Sequence, residues 1–306
     1  MTGRAERRAG AAAVSAKGWW RAAKWLIFRR LSQLAVLALF LAGPLAGVWI
    51  IEGTLASSRI LGTVPLSDPL ITIQVLAAGH APEGKAVIGA VLLAAIYALV
   101  GGRSYCAWVC PINPVADLAH WLRQRLGIRK SIPLPRDLRV WLLVGVIAAS
   151  AATGTIAWEF VNPITALHRS LLFGGFLAGT AWVLVSAVFV FDLLVAHRGW
   201  CGHVCPVGEA CGRIGAYGLI RVGTPRRAAC DDCGDCYQVC PEPHVIKPAL
   251  KGGPDGIEPA VLHRDCTNCG RCIDVCPRDV FAMGTRFAAK GTGAGDKGRG
   301  RAREAI

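Results

Sequence analysis

Four long apolar runs punctuate the first two-thirds of the chain, at residues 31–51, 86–101, 140–158 and 171–196. A bilayer core about 30 Å thick needs about 20 helical residues, so the pattern predicts four transmembrane helices. The second run is short, and residues 105–108 are expected to complete it as a span over 86–106. Gly43-Pro44 inside the first run predicts a kink. Residues 71–78, after Pro65 and Pro69, are too short to cross and are expected to lie on or dip into the interface. The segment 19–28 mixes Trp19, Trp20 and Trp25 with Arg21 and Lys24, a blend suited to lipid headgroups. Beyond Pro225 the pattern changes: residues 230–277 form a compact polar stretch with almost no helical periodicity, and a Gly-, Lys- and Arg-rich tail follows from Ala288, expected to be disordered.

Composition supports a membrane protein. Of 306 residues 53% are hydrophobic, and mean hydropathy is +0.43. The net charge of +14 fits basic cytoplasmic flanks better than nucleic acid, because no basic stretch is interleaved with aromatics in an RNA-binding pattern. Lys and Arg crowd the N-terminal 30 residues and the loop 103–139, whereas the loop 52–85 carries only Arg59 and Lys85, and the loop 159–170 only Arg169. Both termini and the middle loop are therefore expected on the cytoplasmic side. The first apolar run lacks the features of a cleavable signal and is expected to stay as a span.

Thirteen cysteines lie between Cys106 and Cys276, twelve of them in regular spacings, with Cys211 left over as a small buried hydrophobe. Cys230-x2-Cys233-x2-Cys236-x3-Cys240-Pro241 and Cys266-x2-Cys269-x2-Cys272-x3-Cys276-Pro277 each have bacterial ferredoxin spacing. Three thiolates of a run wrap one cubane, and the fourth, expected on the following short helix, reaches the other. One [4Fe–4S] cluster is thus assigned Cys230, Cys233, Cys236 and Cys276, and the other Cys266, Cys269, Cys272 and Cys240. Zinc favours separated CxxC pairs.

Two further motifs, Cys106-Ala-Trp-Val-Cys110-Pro111 and Cys201-Gly-His-Val-Cys205-Pro206, close the second and fourth runs. They suggest two duplicated hairpins, as does the echo of Asn113-Pro114 by Asn162-Pro163. Cysteines at i and i+4 would share one helix face. A third metal or cluster site, a redox-active thiol set and a structural motif all remain open, and His203 is an interfacial histidine or a ligand. His80, His120, His168 and His197 fall in loops or at span ends, which argues against haem b, and CxxCH, Walker and GxGxxG motifs are missing, so neither c-type haem nor a nucleotide is expected. Candidates for contact with a quinol are Glu52, Asp68, Glu159 and His168 on the outer side and Asp192 at depth.

The segments Lys17-Gly-Trp-Trp-Arg21, 62–69, 106–114, 199–208, 239–244 and 269–272 together resemble the NapH/MauN family of membrane ferredoxins, in the family's order and over nearly the whole chain. The resemblance implies a membrane subunit of a quinol dehydrogenase that works with a NapG-like periplasmic iron–sulfur protein and passes electrons from the quinol pool towards periplasmic nitrate reductase. A MauN-like role in methylamine utilisation, or a redox-sensing or assembly role without obligatory turnover, is the alternative. The expected organisation is a basic N-terminal segment (1–30), a four-helix transmembrane domain (31–200), a CxxxCP segment and linker (201–225), an α+β 2[4Fe–4S] ferredoxin domain (226–285) and a basic tail (286–306), in the bacterial inner membrane with the ferredoxin domain cytoplasmic.

Overall fold

The computed structural model describes residues 9–101, 103–128, 130–173 and 179–287; the basic tail expected from Ala288 lies outside them. Helix α1 (Ala11–Lys17) stops at Gly18, whose φ of 81° breaks the path, and α2 (Trp19–Ala46) follows with 28 residues. At 1.5 Å per residue α2 is about 42 Å long. Its first turns, expected at lipid headgroups, contact the ferredoxin unit. The amides of Trp25 and Leu26 donate to Asp274 of the ferredoxin unit, and the Trp25 ring stands edge-on to Trp108. No long span runs through to residue 51: Gly47, at φ 70°, ends the helix just past Pro44. The chain then folds back so that the Trp49 ring occupies the space left by Gly43.

The polar loop after this first run forms an antiparallel meander, β1 (Ile51–Gly53), β2 (Ser57–Ile60) and β3 (Val64–Ser67), which the apolar pattern did not predict. Glu52 stands directly opposite Arg59, a favourable cross-strand charge pair. Strand β3 lies across α4 (Gly84–Val100) at Gly89, where a Cβ would come within 2.9 Å of the Ser67 amide. Between them, α3 (Pro69–Ala77) starts at Asp68, whose carboxylate accepts from the Leu70 amide at 2.8 Å. The expected interfacial segment is therefore a helix packed among its neighbours. Its Gln74 is fully buried and accepts from Ser150 and the Trp158 amide.

Helix α4 does not continue to residue 106. Gly101 (φ 112°) breaks it where Asn268 and Gly218 press close, and α5 (Ser104–Trp108) begins anew, followed by α6 (Ile112–Arg125). Helix α7 (Leu138–Thr153) ends at Gly154 (φ 66°). Asn162 then caps α8 (Pro163–Leu172) through the Ile164 amide. Residues 171 and 172 thus belong to α8 instead of the fourth run, which is carried by α9 (Thr180–Val190) and a π-helical turn to Val195. A second π turn, Trp200–Val204, leads into α10 (Pro206–Ile214).

The ferredoxin unit is closed by its first and last strands, β4 (Ile220–Gly223) and β5 (Ala282–Thr285), paired antiparallel. Between them lie α11 (Asp235–Val239), α12 (Ile246–Lys251) and α13 (Arg271–Val275), so β4 begins within the stretch expected to be linker. Among the described residues one helix, α2, is long and apolar enough to cross a membrane. The apolar helices at Gly84–Val100, Leu138–Thr153 and Thr180–Val195 are shorter, at 10–17 residues each.

Candidate iron–sulfur centres

The two ferredoxin runs fold alike because the same backbone switch recurs. In each loop the residues two and four places after the first cysteine adopt left-handed φ: Asp232 (57°) and Gly234 (85°) in one, Asn268 (48°) and Gly270 (71°) in the other. Asn, Asp and Gly tolerate this region. The reversals curl each loop so that three thiols converge. One cavity is lined by Cys230, Cys233 and Cys236 together with Cys276. The other is lined by Cys266, Cys269 and Cys272 together with Cys240. The fourth cysteines sit just past α11 and α13 in extended conformation, not on the helices as expected, and this extension carries each across to the neighbouring cavity.

The surroundings of the two cavities differ sharply. Around the first, the loop carries Asp231, Asp232 and Asp235, Cys233 is exposed, and Lys251 pairs with Asp232 at the surface. The second is lined by Arg271 together with Glu242 and Asp265, and further buried guanidiniums stand around it. Arg29 and Arg271 bear on Cys269, Arg198 on Cys240, and Arg221 and Arg103 on Cys266. Burial pushes the Cys269 thiol up, but Arg271 and Arg29 outweigh it and leave the thiol below its ordinary value. Arg29, Arg30, Arg198 and Arg271 all converge on Asp117 from α6. They hold its carboxyl well below the usual range against the opposing effect of burial. Arg221, 1% exposed, donates only to the carbonyls of Gly215, Ala216 and Gly218. Buried nitrogens of Arg29, Arg103, Arg198 and Arg271 have no hydrogen-bond partner among the described residues. Four thiolates holding an iron–sulfur cubane form an anionic group, and these unpartnered nitrogens fit one.

A third cavity is lined by Cys106, Cys110, Cys201 and Cys205, walled by Tyr105, Ile112, Ile164, Trp200 and Val207. The pairs do not share helix faces as expected. Cys106 lies in α5 and Cys110 beyond its end; Cys201 lies in the π turn and Cys205 is the N-cap of α10. The breaks turn the second thiol of each motif towards the amides that open the next helix, Ile112 and Asn113 for Cys110, Val207 and Gly208 for Cys205. Burial, then Cys106, push the Cys205 thiol up to about 12, and the same two causes together with Cys205 raise Cys110. Crowded buried thiols give up their protons readily only to a metal. A further void lies between this cavity and the second, lined by Cys106 and Cys201 on one side and Cys269, Thr267 and Arg271 on the other.

Two arginines fasten the ferredoxin unit to the helices. Arg139, at the start of α7, meets Glu209 of α10 at 2.8 Å, Glu242 at 3.2 Å, and Asp265. Arg103 meets Glu242 at 2.8 Å and the Cys201 carbonyl at 2.9 Å. The sequence reading treated both as basic flanks of apolar runs. Their partners lie far along the chain, beyond the reach of a local pattern.

The remaining candidates scatter. Asp68 and Glu159 are electrostatic neighbours, with Asp68 also near Tyr97 and Tyr105, whereas Glu52 belongs to the meander. His168 is buried against Phe40, both ring nitrogens unpaired among the described residues. Asp192 is buried and accepts from the Trp200 amide, capping the π turn. Cys211 is packed in the apolar core of the helical part. A pair the sequence did not suggest, His120 and His197, is hydrogen-bonded at 2.7 Å.

A family profile described as "4Fe-4S binding domain" matches residues 85–129 and 178–209, and one described as "4Fe-4S dicluster domain" matches residues 229–280. The methylamine utilization ferredoxin-type protein MauN of Methylorubrum extorquens is 53% identical over 80% of this chain and 84% of its own length. The ferredoxin-type protein NapH of Escherichia coli is 48% identical over 93% and 97%, and MauN of Paracoccus denitrificans is 52% identical over 90% and 95%. No solved structure matches. Ferredoxin-type loops, a helical part ending in paired CxxxCP motifs and near-complete coverage by these relatives converge on one assignment: the chain belongs to the NapH/MauN family of ferredoxin-type iron–sulfur electron-transfer proteins.

Proposed function

We propose that this protein is the membrane subunit of a quinol dehydrogenase, holding [4Fe–4S] clusters at all three cysteine sets and passing electrons from the quinol pool towards a NapG-like periplasmic iron–sulfur protein. The observation that carries the reading is the succession of cavities. The Cys230 set exchanges fourth cysteines with the Cys240/Cys266 set, and Cys269 of the latter lines one void with Cys106 and Cys201. When bound, such clusters supply one-electron carriers to match a two-electron quinol. The chain's own residues do the rest. The apolar walls of Ile112, Ile164, Trp200 and Val207 exclude water from the third set, and Arg103 and Arg139 fix the ferredoxin unit against the helices.

The four apolar helices are read as spans in the bacterial inner membrane, both termini and the ferredoxin domain cytoplasmic. Leu31, Leu34, Ile88, Val91, Leu99, Trp141, Val144 and Val183 project from them into the surroundings, an apolar belt that suits lipid. Three helices shorter than a bilayer are compatible with this where α3, α8 and the meander fill the remaining depth. The third set lies at the ends of the helices, between the ferredoxin unit and the bundle, which eases the separation between cytoplasmic clusters and a periplasmic acceptor. Relatives named for methylamine utilization are as similar as those named NapH, so a methylamine pathway is the second reading with the same chemistry.

Anaerobically purified protein should contain about twelve irons, four for each set. Cys106→Ser with Cys201→Ser should remove about four and leave the ferredoxin signals intact. Quinol should reduce the clusters, followed by electron paramagnetic resonance. Full iron content without reduction, even with the periplasmic partner, would sink the quinol reading in favour of sensing or assembly.

A further inference from the structure

We propose that Arg29, Arg103, Arg198, Arg221 and Arg271 set the site of Cys240, Cys266, Cys269 and Cys272 at a higher reduction potential than the site of Cys230, Cys233, Cys236 and Cys276, so that an electron shared between the two rests on the helix-side site. The inference rests on the reading of these eight cysteines as two cluster sites.

Reduction adds one negative charge to a site, so fixed cations nearby favour the reduced state and fixed anions disfavour it. The two cavities are built from near-identical loops, and their cysteine spacing is the same. What differs is the charge around them. Arg103, Arg198 and Arg271 line the void beside Cys269, and the cations that bear on the thiols of the second site are these together with Arg29 and Arg221. The groups bearing on the first are Asp231, Asp232 and Asp235, with Lys251 and Arg278 as surface counter-charges, while Lys17, which donates to the Cys276 carbonyl at 2.9 Å, is paired with Asp279.

The carboxylates near the second site cancel only part of its positive charge. Glu242 and Asp265, which line the cavity, offset Arg103 and Arg139. Asp274 is held by the backbone amides of Trp25 and Leu26. Asp117 alone must serve Arg29, Arg30, Arg198 and Arg271. Arg221 has only neutral carbonyl partners among the described residues. A surplus of positive charge remains, and it is buried: Arg29 and Arg221 are each 1% exposed. Burial works in the opposite direction, because a low-dielectric site resists added charge. Here the cations share that low dielectric and act unscreened, whereas the aspartates of the first loop stand at the surface, where water and salt weaken them. The arginines therefore decide the order.

The sequence position of these arginines explains how one duplicated motif acquires two characters. None of the five lies in a loop that they charge, except Arg271, which follows Gly270 where the first run has Asp235 after Gly234. The others arrive from α2, the segment before α5, the turn after α9, and β4. Docking against the helical part thus supplies the asymmetry.

The test is a redox titration of the anaerobically purified full-length protein, followed by electron paramagnetic resonance, with iron content measured in parallel. Wild-type protein should show two separate ferredoxin waves. Arg221→Gln should lower only the upper wave, changing the reduced-to-oxidised ratio at a fixed potential about tenfold, equivalent to about 59 mV for one electron. Arg221→Lys should keep most of the wild-type value. Asp231→Asn, at the exposed loop, should raise only the lower wave. A wave that moves with neither belongs to another thiol set. Coincident ferredoxin waves, an upper wave that responds to Asp231→Asn, or an Arg221→Gln protein of normal iron content with an unmoved upper wave would each overturn the proposal. Absence of iron and of cluster signals from the wild-type protein would instead overturn the assignment of the eight cysteines. Should Arg221→Gln fail to fold, the Asp231→Asn arm still decides which wave is the lower.

Discussion

Replacing Arg139 by Met should loosen the ferredoxin unit from the helices more than any other single change at this junction. Arg139 is 3% exposed and touches three carboxylates, Glu209 on α10 and Glu242 and Asp265 on the ferredoxin side. It also donates to the Gly202 carbonyl at 3.2 Å. Removing one partner of a buried ionic network costs about 3–5 kcal/mol, because the other partners stay buried without their counter-charge. Arg103 still reaches Glu242 at 2.8 Å and lies 3.8 Å from Asp265, and Glu209 keeps Arg213 at 2.8 Å and Arg264 at 3.3 Å, so each carboxylate keeps a cation and the low end of that range applies. About 3 kcal/mol corresponds to roughly a hundredfold rise in the open population. Hydrogen exchange reads this directly: amides of β4, α12 and β5 should exchange about two orders of magnitude faster in detergent-solubilised Arg139→Met, while those in the middle of α7 stay close to wild type. Arg139→Lys, able to satisfy one carboxylate at a time, should fall between. Because the network is buried, added salt should not mimic the mutation. An Arg139→Met protein whose ferredoxin amides exchange within threefold of wild type would show that apolar packing, not this network, holds the two parts together.

Gly270→Ala should destabilise the protein by more than about 1 kcal/mol, since φ there is 71° and the new Cβ would lie 2.5 Å from the Trp25 ring. Gly234→Ala meets nothing within 4 Å and should cost only the left-handed strain, about 1 kcal/mol; thermal melts of the two variants compare them. Asp117→Asn strips four guanidiniums of their shared anion and should lower stability by about 3 kcal/mol or more, read as a lower melting temperature with loss of iron. Burial, then Arg198, bring His120 down to about 3 and His197 to about 4. Both histidines titrate near 6.5 when unfolded, so their contribution is complete above that pH and is lost as pH falls from about 6.5 towards 4, by at most about 2 kcal/mol each at pH 5. Melting temperatures from pH 7.5 to 5 should drop, and His120→Gln should flatten the slope; an unchanged slope would remove the pair from the acid response.

The parts of the chain legible in advance were those written in one short segment. Each ferredoxin run carries its whole instruction within eleven residues, including the Asp232/Gly234 and Asn268/Gly270 positions that bend it. The same is true of the helix starts at Asp68-Pro69 and Asn162-Pro163. Hydropathy located the apolar helices but misplaced their ends. Gly47, Gly101 and Gly154 stop them for reasons of backbone conformation that an apolar average does not register. The meander was missed because its strands are three or four residues long and alternate weakly. The thiol set of Cys106, Cys110, Cys201 and Cys205 was recognisable as two pairs, but the shared-face argument for it assumed continuous helix. The sulfurs converge because the helices break between the cysteines of each pair.

Charged residues at the ends of apolar runs carried the most misleading signal. Arg29, Arg103 and Arg139 all read as cytoplasmic flanks, where positive charge needs no partner beyond water and lipid. Each is buried instead, with carboxylates brought from more than eighty residues away, Asp117 for Arg29, Glu242 for Arg103 and Arg139. A sequence rule that counts flanking cations treats the helical part and the ferredoxin part as separate objects. Burial of the same cations between them makes the two parts one electrostatic unit, and a family member that exchanged these arginines for lysines would keep the topological signal. It would lose the multidentate contacts, because one ammonium cannot span the three carboxylates that the Arg139 fork joins.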